Sequence, residues 1–325
     1  YATADAAYET MAESAAMPEE AKANTLHNAT LLAVQSKHFD KAVKYGEAYI
    51  ALGGSPDPSV VSALAQAYYV TGDFAKSQAT AQKALDAQPP GAVPNDGALQ
   101  IVLQSQLKAH DYTNAAVTLA KIVTYRDMKD EWGDLIDLSI STKGMKDITA
   151  LHIYRLRLAT KATGHAEDFT TGASLALSQG YPVEAESFLN AGISAGVLSA
   201  SGPTGTQLAN VRDRAAKDRA VITSFAAIAN KAATGELDVK LAETYFGYGR
   251  YADAETAARE AITKGGPKTD ANEATMVLGE ALAMEGKNAD AVTAFNAVQN
   301  PTPGWVSAQH IWLVYANRKY TGATP

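Results

Sequence analysis

VSALAQAYYVTGDFAKSQATAQKALDAQP, residues 61–89, decides the fold. Leu64, Ala65 and Tyr68 recur on one helical face, and Gly72, Asp73 and Phe74 interrupt it. Ser77, Ala81 and Ala84 resume a face at the 3.6-residue period before Pro89 closes the stretch. The pattern predicts two helices joined by a tight turn. Small side chains at Ala65 and Ser77 let the helices approach closely, while Tyr68 and Phe74 fill the open end of the hairpin.

The same order of residues returns at Leu241, Ala242, Tyr245, Gly249, Tyr251, Ala254, Ala258, Ala261 and Pro267. It returns again at Leu278, Gly279, Leu282, Gly286, Ala291, Phe295, Val298 and Pro303. Fainter copies begin near Ala29, Val102 and Ala173. One small residue marks the second helix of each copy: Ala42, Ser77, Ala115, Ala185, Ala254 and Ala291, at intervals of 35, 38, 70, 69 and 37 residues. The two long intervals are each close to twice a period of about 34, so each hides one degenerate unit.

This unit resembles the tetratricopeptide repeat, over residues 24–306 and best at 61–89, 237–267 and 274–303. The tryptophan that often opens the family's first helix is missing from the legible copies. The resemblance implies an all-α fold, a right-handed α-solenoid of about eight tetratricopeptide-like helix hairpins, two of them degenerate. It also implies that Tyr68, Phe74, Tyr245, Tyr251 and Phe295 are packing residues.

The expected organisation is an N-terminal helix at 1–17, repeats at 18–198, an irregular or long-helix unit at 199–235, repeats at 236–304, and a C-terminal helix and tail at 305–325. One degenerate unit pairs a helix carrying Trp132, Leu135 and Ile136 with a helix over 148–162 that carries Ile153, Tyr154, Leu156 and Leu158. The other has no clear turn in its middle and reads as a longer helix or an irregular pair, with Val221, Ile222, Phe225 and Ile228 facing inward. At the start, Ala4, Tyr8, Met11 and Ala15 share one face of a capping helix over 3–16. At the end, Ile311, Trp312, Leu313, Val314 and Tyr315 go most of the way round the last helix, so either the tail folds over it or another molecule meets it around Trp312.

Composition agrees with an extended array. Alanine dominates, valine and isoleucine are sparse, and the hydrophobic fraction is 46%. A net charge of -7 and the lack of a lysine or arginine cluster exclude nucleic acid as a partner. No apolar run is long enough for a transmembrane segment. Cysteine is absent, which excludes disulfides and thiolate chemistry. The chain opens on Tyr1, which suits a processed exported protein or a trimmed end. A periplasmic or otherwise extracytoplasmic location is expected, with the cytoplasm as the alternative.

Six histidines, at positions 27, 38, 110, 152, 165 and 310, form no i, i+4 pair and have no acidic companion in a metal pattern. The run 201–206 lacks the lysine and the preceding strand of a phosphate loop. No Gly-x-Ser-x-Gly elbow occurs. No catalytic residue, metal or cofactor is expected, and the chain reads as a non-enzyme.

The residues that the family turns toward its concave groove are the binding candidates. In the first three units they include Asn24, His27, Asn28, Gln66, Tyr69 and Gln104, a face rich in amides and hydroxyls. In the last two they include Glu243, Phe246, Met276, Glu280 and Met284, which is acidic with soft apolar patches. Amides suit an extended peptide backbone or a sugar, whereas glutamate beside methionine and phenylalanine suits a basic amphipathic segment. A subset of the family clamps a C-terminal carboxylate with Lys, Arg and Asn. His27, Leu31, Ala63, Gly97 and Ile101 stand at those places, so that clamp is absent. The expected function is a scaffold that binds a protein or peptide partner through the concave groove. The alternative is a carrier of a small molecule or lipid, with the groove closed by the stretch from 199 to 234.

Overall fold

The computed structural model describes residues 10–11, 18–53 and 56–320. The expected cap helix over 3–16 lies outside the described residues except for Thr10 and Met11, and so does the tail beyond Tyr320. Every regular element among the described residues is a helix, with no strand. The architecture is an all-α solenoid of helix hairpins in two compact units, residues 1–122 and 123–325.

Unit 1 holds α1 (Glu19–Gln35), α2 (Phe39–Ala51), α3 (Pro58–Thr71), α4 (Phe74–Asp86), α5 (Asp96–Lys108) and most of α6 (Tyr112–Tyr125). The stretch 61–89 is the α3–α4 hairpin. Asp57 caps α3 by accepting the Ser59 N–H, Pro58 takes the first helical position, and Gly72 ends the helix in the left-handed conformation with φ 88°. Asp73 then caps α4 by accepting the Lys76 N–H. Two residues thus stop one helix and start the next.

That turn is reproduced across the chain. The amide after each left-handed residue donates five residues back: His38 to Ala33, Asp73 to Tyr68, Asp111 to Gln106, Tyr181 to Ala176, Arg250 to Tyr245 and Lys287 to Leu282, all at 2.8–2.9 Å. These are the six copies legible in the sequence. At two turns a non-glycine, Lys37 or His110, takes the left-handed position.

Close approach within the hairpins follows from side-chain size. Ser77 on α4 donates its hydroxyl to the Ala65 carbonyl on α3 at 2.8 Å, and Ser105 on α5 donates to Ser77 at 3.2 Å. Two buried hydroxyls are thereby satisfied between helices that a larger side chain would part. Thr118 on α6 likewise donates to the Gln106 side chain on α5 at 2.8 Å.

Unit 2 holds α7 (Lys129–Ile140), α8 (Asp147–Thr160), α9 (Ala166–Gln179), α10 (Pro182–Ser194) and α11 (Gly202–Lys231). It continues through α12 (Glu236–Gly247), α13 (Tyr251–Lys264), α14 (Ala271–Met284), α15 (Asn288–Asn296) and α16 (Pro303–Ala316). Successive helices pack on one another, and α16 returns to pack on α7 and α8, so this unit closes on itself. In α14–α15 a Cβ on Gly279 would lie 2.4 Å from the Phe295 ring, so glycine on one helix makes the room for an aromatic ring on the next.

The stretch 199–235 contains a single 30-residue helix, α11. Its inward stripe is Leu208, Val211, Ala215, Ile222 and Ala229. Of the four residues expected to face inward, only Ile222 is buried, while Val221 and Ile228 are 54% and 59% exposed. The core contacts Leu208, Ala215, Ile222 and Ala229 recur every seven residues, and the expected set sits partly on the opposite face. The last helix also differs from expectation: Ile311 and Trp312 are fully buried, so Trp312 offers no surface to another molecule.

Ala65, Ala254 and Ala291 are each 0% exposed. Replacing any one by leucine should overpack its hairpin and cost about 1–3 kcal/mol. Thermal melts of the three variants check this; melts that match the parent would show that the small residues do not set the helix approach.

Candidate functional site

The two candidate faces have opposite fates. On unit 1, Asn24, Asn28, Gln66 and Gln104 are exposed along α1, α3 and α5, with His27 and Tyr69 half-buried among them. On unit 2, Glu243, Glu280 and Met276 have no exposed surface, Phe246 is 7% exposed and Met284 is half-buried. The acidic face expected to be open is an interior. Gln66 and Gln104 sit at the same repeat position as Glu243 and Glu280, one residue after Ala65, Leu103, Ala242 and Gly279.

The residue that fills the interior is Arg155 on α8. Nearly every side chain of α8 from Thr149 to Arg157 is buried, the signature of a helix surrounded on all sides. Arg155 donates through Nε and Nη2 to both carboxylate oxygens of Glu184 on α10 at 2.7 and 3.0 Å. It also donates through Nη2 to Glu243 on α12, and through Nη1 to Glu280 on α14 at 2.9 Å and to His152 Nδ1 at 3.2 Å. All five N–H groups of the guanidinium are used. Phe246 lies 4.5 Å from it, ring centroid to guanidinium carbon.

His152 completes the cluster. Its Nδ1 lies 2.6 Å from Glu280 Oε1, and its backbone carbonyl accepts from Trp312 Nε1 at 2.7 Å. Burial pushes the Glu280 carboxyl up to about 8 and the His152 imidazole down to about 4. Near pH 6 the proton between them therefore sits on Glu280, and the single lone pair of Nδ1 is shared between that O–H and Arg155 Nη1. Nε2 of His152 faces Glu243 Oε1 at 3.5 Å, and neither atom has a hydrogen-bond partner.

Sequence reasoning placed Ile153, Tyr154, Leu156 and Leu158 in α8 but missed His152, Arg155 and Arg157 as interior residues. Arg157 is 1% exposed and donates to Asp137 and to the Thr163 carbonyl. The available signal was the crowding of Leu151, Ile153, Tyr154 and Leu156 around the charges, which leaves no polar face for an arginine to occupy.

On unit 1, His27 Nδ1 meets Asn28 Oδ1 at 3.2 Å and Nε2 meets Ser59 Oγ at 3.4 Å, with Asp57 3.7 Å away. A serine, a histidine and an aspartate thus stand together. Ser59 gives its hydroxyl proton and its backbone N–H to Asp57, and these bonds hold the Asp57 carboxyl below the usual carboxylate range. The serine has no proton directed at the histidine, so the trio works as a helix cap. Among the described residues no group of three histidine or carboxylate side chains is arranged to hold a metal ion, and no helix is long and apolar enough to cross a bilayer.

The cluster gives two expectations. Arg155→Met should strip the partner from three buried carboxylates and cost about 3–5 kcal/mol in denaturant unfolding. Glu280 binds its proton more tightly folded than unfolded, so its contribution is complete below pH 4.5 and disappears as pH rises through about 8. His152 acts in the opposite sense, losing stability as pH falls from 6.5 through about 4. The melting temperature should fall between pH 6 and 9, and Glu280→Gln, which cannot ionise, should flatten that fall. A parent melting temperature that rises over this range would place a stable carboxylate at Glu280 instead.

A tetratricopeptide repeat family model matches residues 239–304, from α12 to the start of α16. Among curated proteins no sequence matches the chain. A tetratricopeptide repeat protein from Parabacteroides merdae is 12% identical, with 90% of this chain and 98% of that one covered at a TM-score of 0.37. The TPR2AB domain of yeast Sti1, solved in a complex with pHSP90, is 14% identical, with 92% and 99% covered at a TM-score of 0.26. Neither likeness carries weight at such scores. Residues 239–304 thus carry the tetratricopeptide repeat pattern, and four hairpins outside that match share the same turn.

Proposed function

We propose that the protein is a non-catalytic scaffold that binds an extended, largely uncharged peptide segment of a protein partner along the amide face of unit 1. One observation carries this reading. At the same repeat position Gln66 and Gln104 stand exposed, while Glu243 and Glu280 are sealed under α8. The face that remains open is therefore the amide-rich one.

Its chemistry fits such a ligand. Asn24, Asn28, Gln66 and Gln104 present both donors and acceptors, which match the alternating N–H and C=O groups of an extended backbone. Half-buried Tyr69, held edge-on against Phe74 with centroids 5.5 Å apart, adds rigid apolar area beside them. Glu243, Phe246, Met276 and Glu280 have no part in this reading, since a partner would first have to displace α8.

The combined variant Asn28→Ala, Gln66→Ala and Gln104→Ala tests it. Capture with the intact chain, followed by mass spectrometry, should recover a protein partner that the variant loses. Binding should change little as salt is raised above 0.1 M, where the Debye length is already about 10 Å, because neutral amides make the contacts. Full retention of the partner by the variant would remove unit 1 from consideration.

A further inference from the structure

An open groove of about 390 Å³ lies along α11 in unit 2, lined by the end of α9, the turn before α10, α11 and α12. That volume falls within the range of small-molecule sites, roughly 300–1,000 Å³. Its floor and walls are apolar: Ile222 and Phe225 on α11 and Leu237 on α12, with Val221 at the rim. Two groups of opposite charge interrupt the apolar lining, Lys240 on α12 and Asp218 on α11.

Both charged groups are held in place. Lys240 Nζ donates to the Tyr181 hydroxyl at 3.0 Å and stands 5.3 Å from the centre of its ring. That ammonium makes no ion pair within 4 Å among the described residues, and the partly buried Glu273 carboxyl on α14 acts on it from farther away. Tyr181 is 3% exposed, lines the groove, and accepts from Lys240, so its own O–H proton remains for another acceptor. Asp218 takes the Tyr248 hydroxyl at 2.7 Å on one oxygen and keeps the other. An ammonium and a phenol proton therefore form one anion-binding pair, and a fixed carboxylate oxygen forms a cation-binding point.

Their order along the groove follows from the helices. Tyr248, just beyond α12, reaches Asp218, so this end of α12 lies beside the earlier part of the groove-lining stretch of α11. Phe225 follows Asp218 by seven residues, about 10 Å along a helix, and shares the opposite end with Leu237, near the start of α12. Lys240 falls between. The groove is thus negative at the Asp218 end, with the positive group and the apolar residues together toward Leu237 and Phe225.

We propose that this groove binds a small zwitterion with an apolar side chain, of the class of a hydrophobic amino acid or dipeptide. Its carboxylate sits on Lys240 and Tyr181, its ammonium on Asp218, and its side chain against Ile222, Phe225 and Leu237. A plain apolar amine leaves the lysine unmatched, and a plain carboxylate leaves the aspartate facing its negative charge. The groove is independent of the amide face of unit 1 and does not rest on the reading of that face.

Isothermal titration of the intact chain with four probes tests the proposal: L-phenylalanine, L-leucyl-L-phenylalanine, phenylpropionate and phenylethylamine. At least one zwitterion should bind, and each singly charged analogue should bind about ten- to hundredfold more weakly than that zwitterion. Tight binding by only one of the two zwitterions identifies the source of the ligand, and binding by both admits both sources. Lys240→Ala should weaken the zwitterion by a similar factor, and Asp218→Asn should erase its advantage over phenylpropionate. Val221→Arg, at a rim position 54% exposed, should block the groove with an unchanged thermal melt, which separates loss of the site from loss of the fold. No heat from either zwitterion at millimolar concentration would overturn the proposal, as would phenylpropionate binding as tightly as the tighter of the two zwitterions.

Discussion

A guanidinium taken out of water must find acceptors for five N–H groups, and Arg155 finds all of them on three carboxylates and one imidazole. The cost of burying that charge is several kcal/mol, so the bonds must be well formed or the helix would leave. Because Glu184, Glu243 and Glu280 come from α10, α12 and α14, four of the five bonds fix three helices around α8. One cation cannot balance three carboxylates. Holding the proton on Glu280 reduces the buried excess to a single negative charge, and burial, which disfavours the charged form of either group, raises that carboxyl and lowers His152.

The remainder of the fold depends on side chains that are small. Ser77 replaces a methyl group with a hydroxyl and returns it to the Ala65 carbonyl, so close contact and polar satisfaction come from one atom. Gly279 answers the same requirement from the other side, since removing its Cβ admits the whole Phe295 ring. Both arrangements hold the helices of a hairpin close with different residues. That freedom explains why the copies share a pattern of sizes and turns without sharing residue identity.

The hairpins were legible in the sequence because their determinants are local. Gly72 and Asp73 lie next to one another, and the small residues that face each other across a hairpin are separated by a fixed short distance. The degenerate unit at 131–164 was legible for the same reason, while the missing turn at 199–235 left a long helix as one of two readings. What failed was anything that needed a distant partner. Arg155 finds Glu280 across 125 residues and His152 finds it across 128, and nothing near α8 announces either. Val221 and Ile228 failed differently: they are apolar but lie off the seven-residue stripe through Ile222 and Ala229, and apolar character alone does not choose a face.

The same distance effect reverses the meaning of the acidic groove residues. Two carboxylates at equivalent positions of adjacent repeats read as a surface for a basic partner, and a basic helix is what they hold. That helix, α8, belongs to the same chain. The Coulomb attraction that a free groove would offer to an outside segment is consumed inside unit 2, in surroundings where salt screens it little. Amides at the corresponding positions of unit 1 have no charge to balance, so no buried arginine is required there and the face can stay open to water at little cost. The same repeat position thus carries charge where it is interior, at Glu243 and Glu280 of unit 2, and a neutral amide where it is exposed, at Gln66 and Gln104 of unit 1.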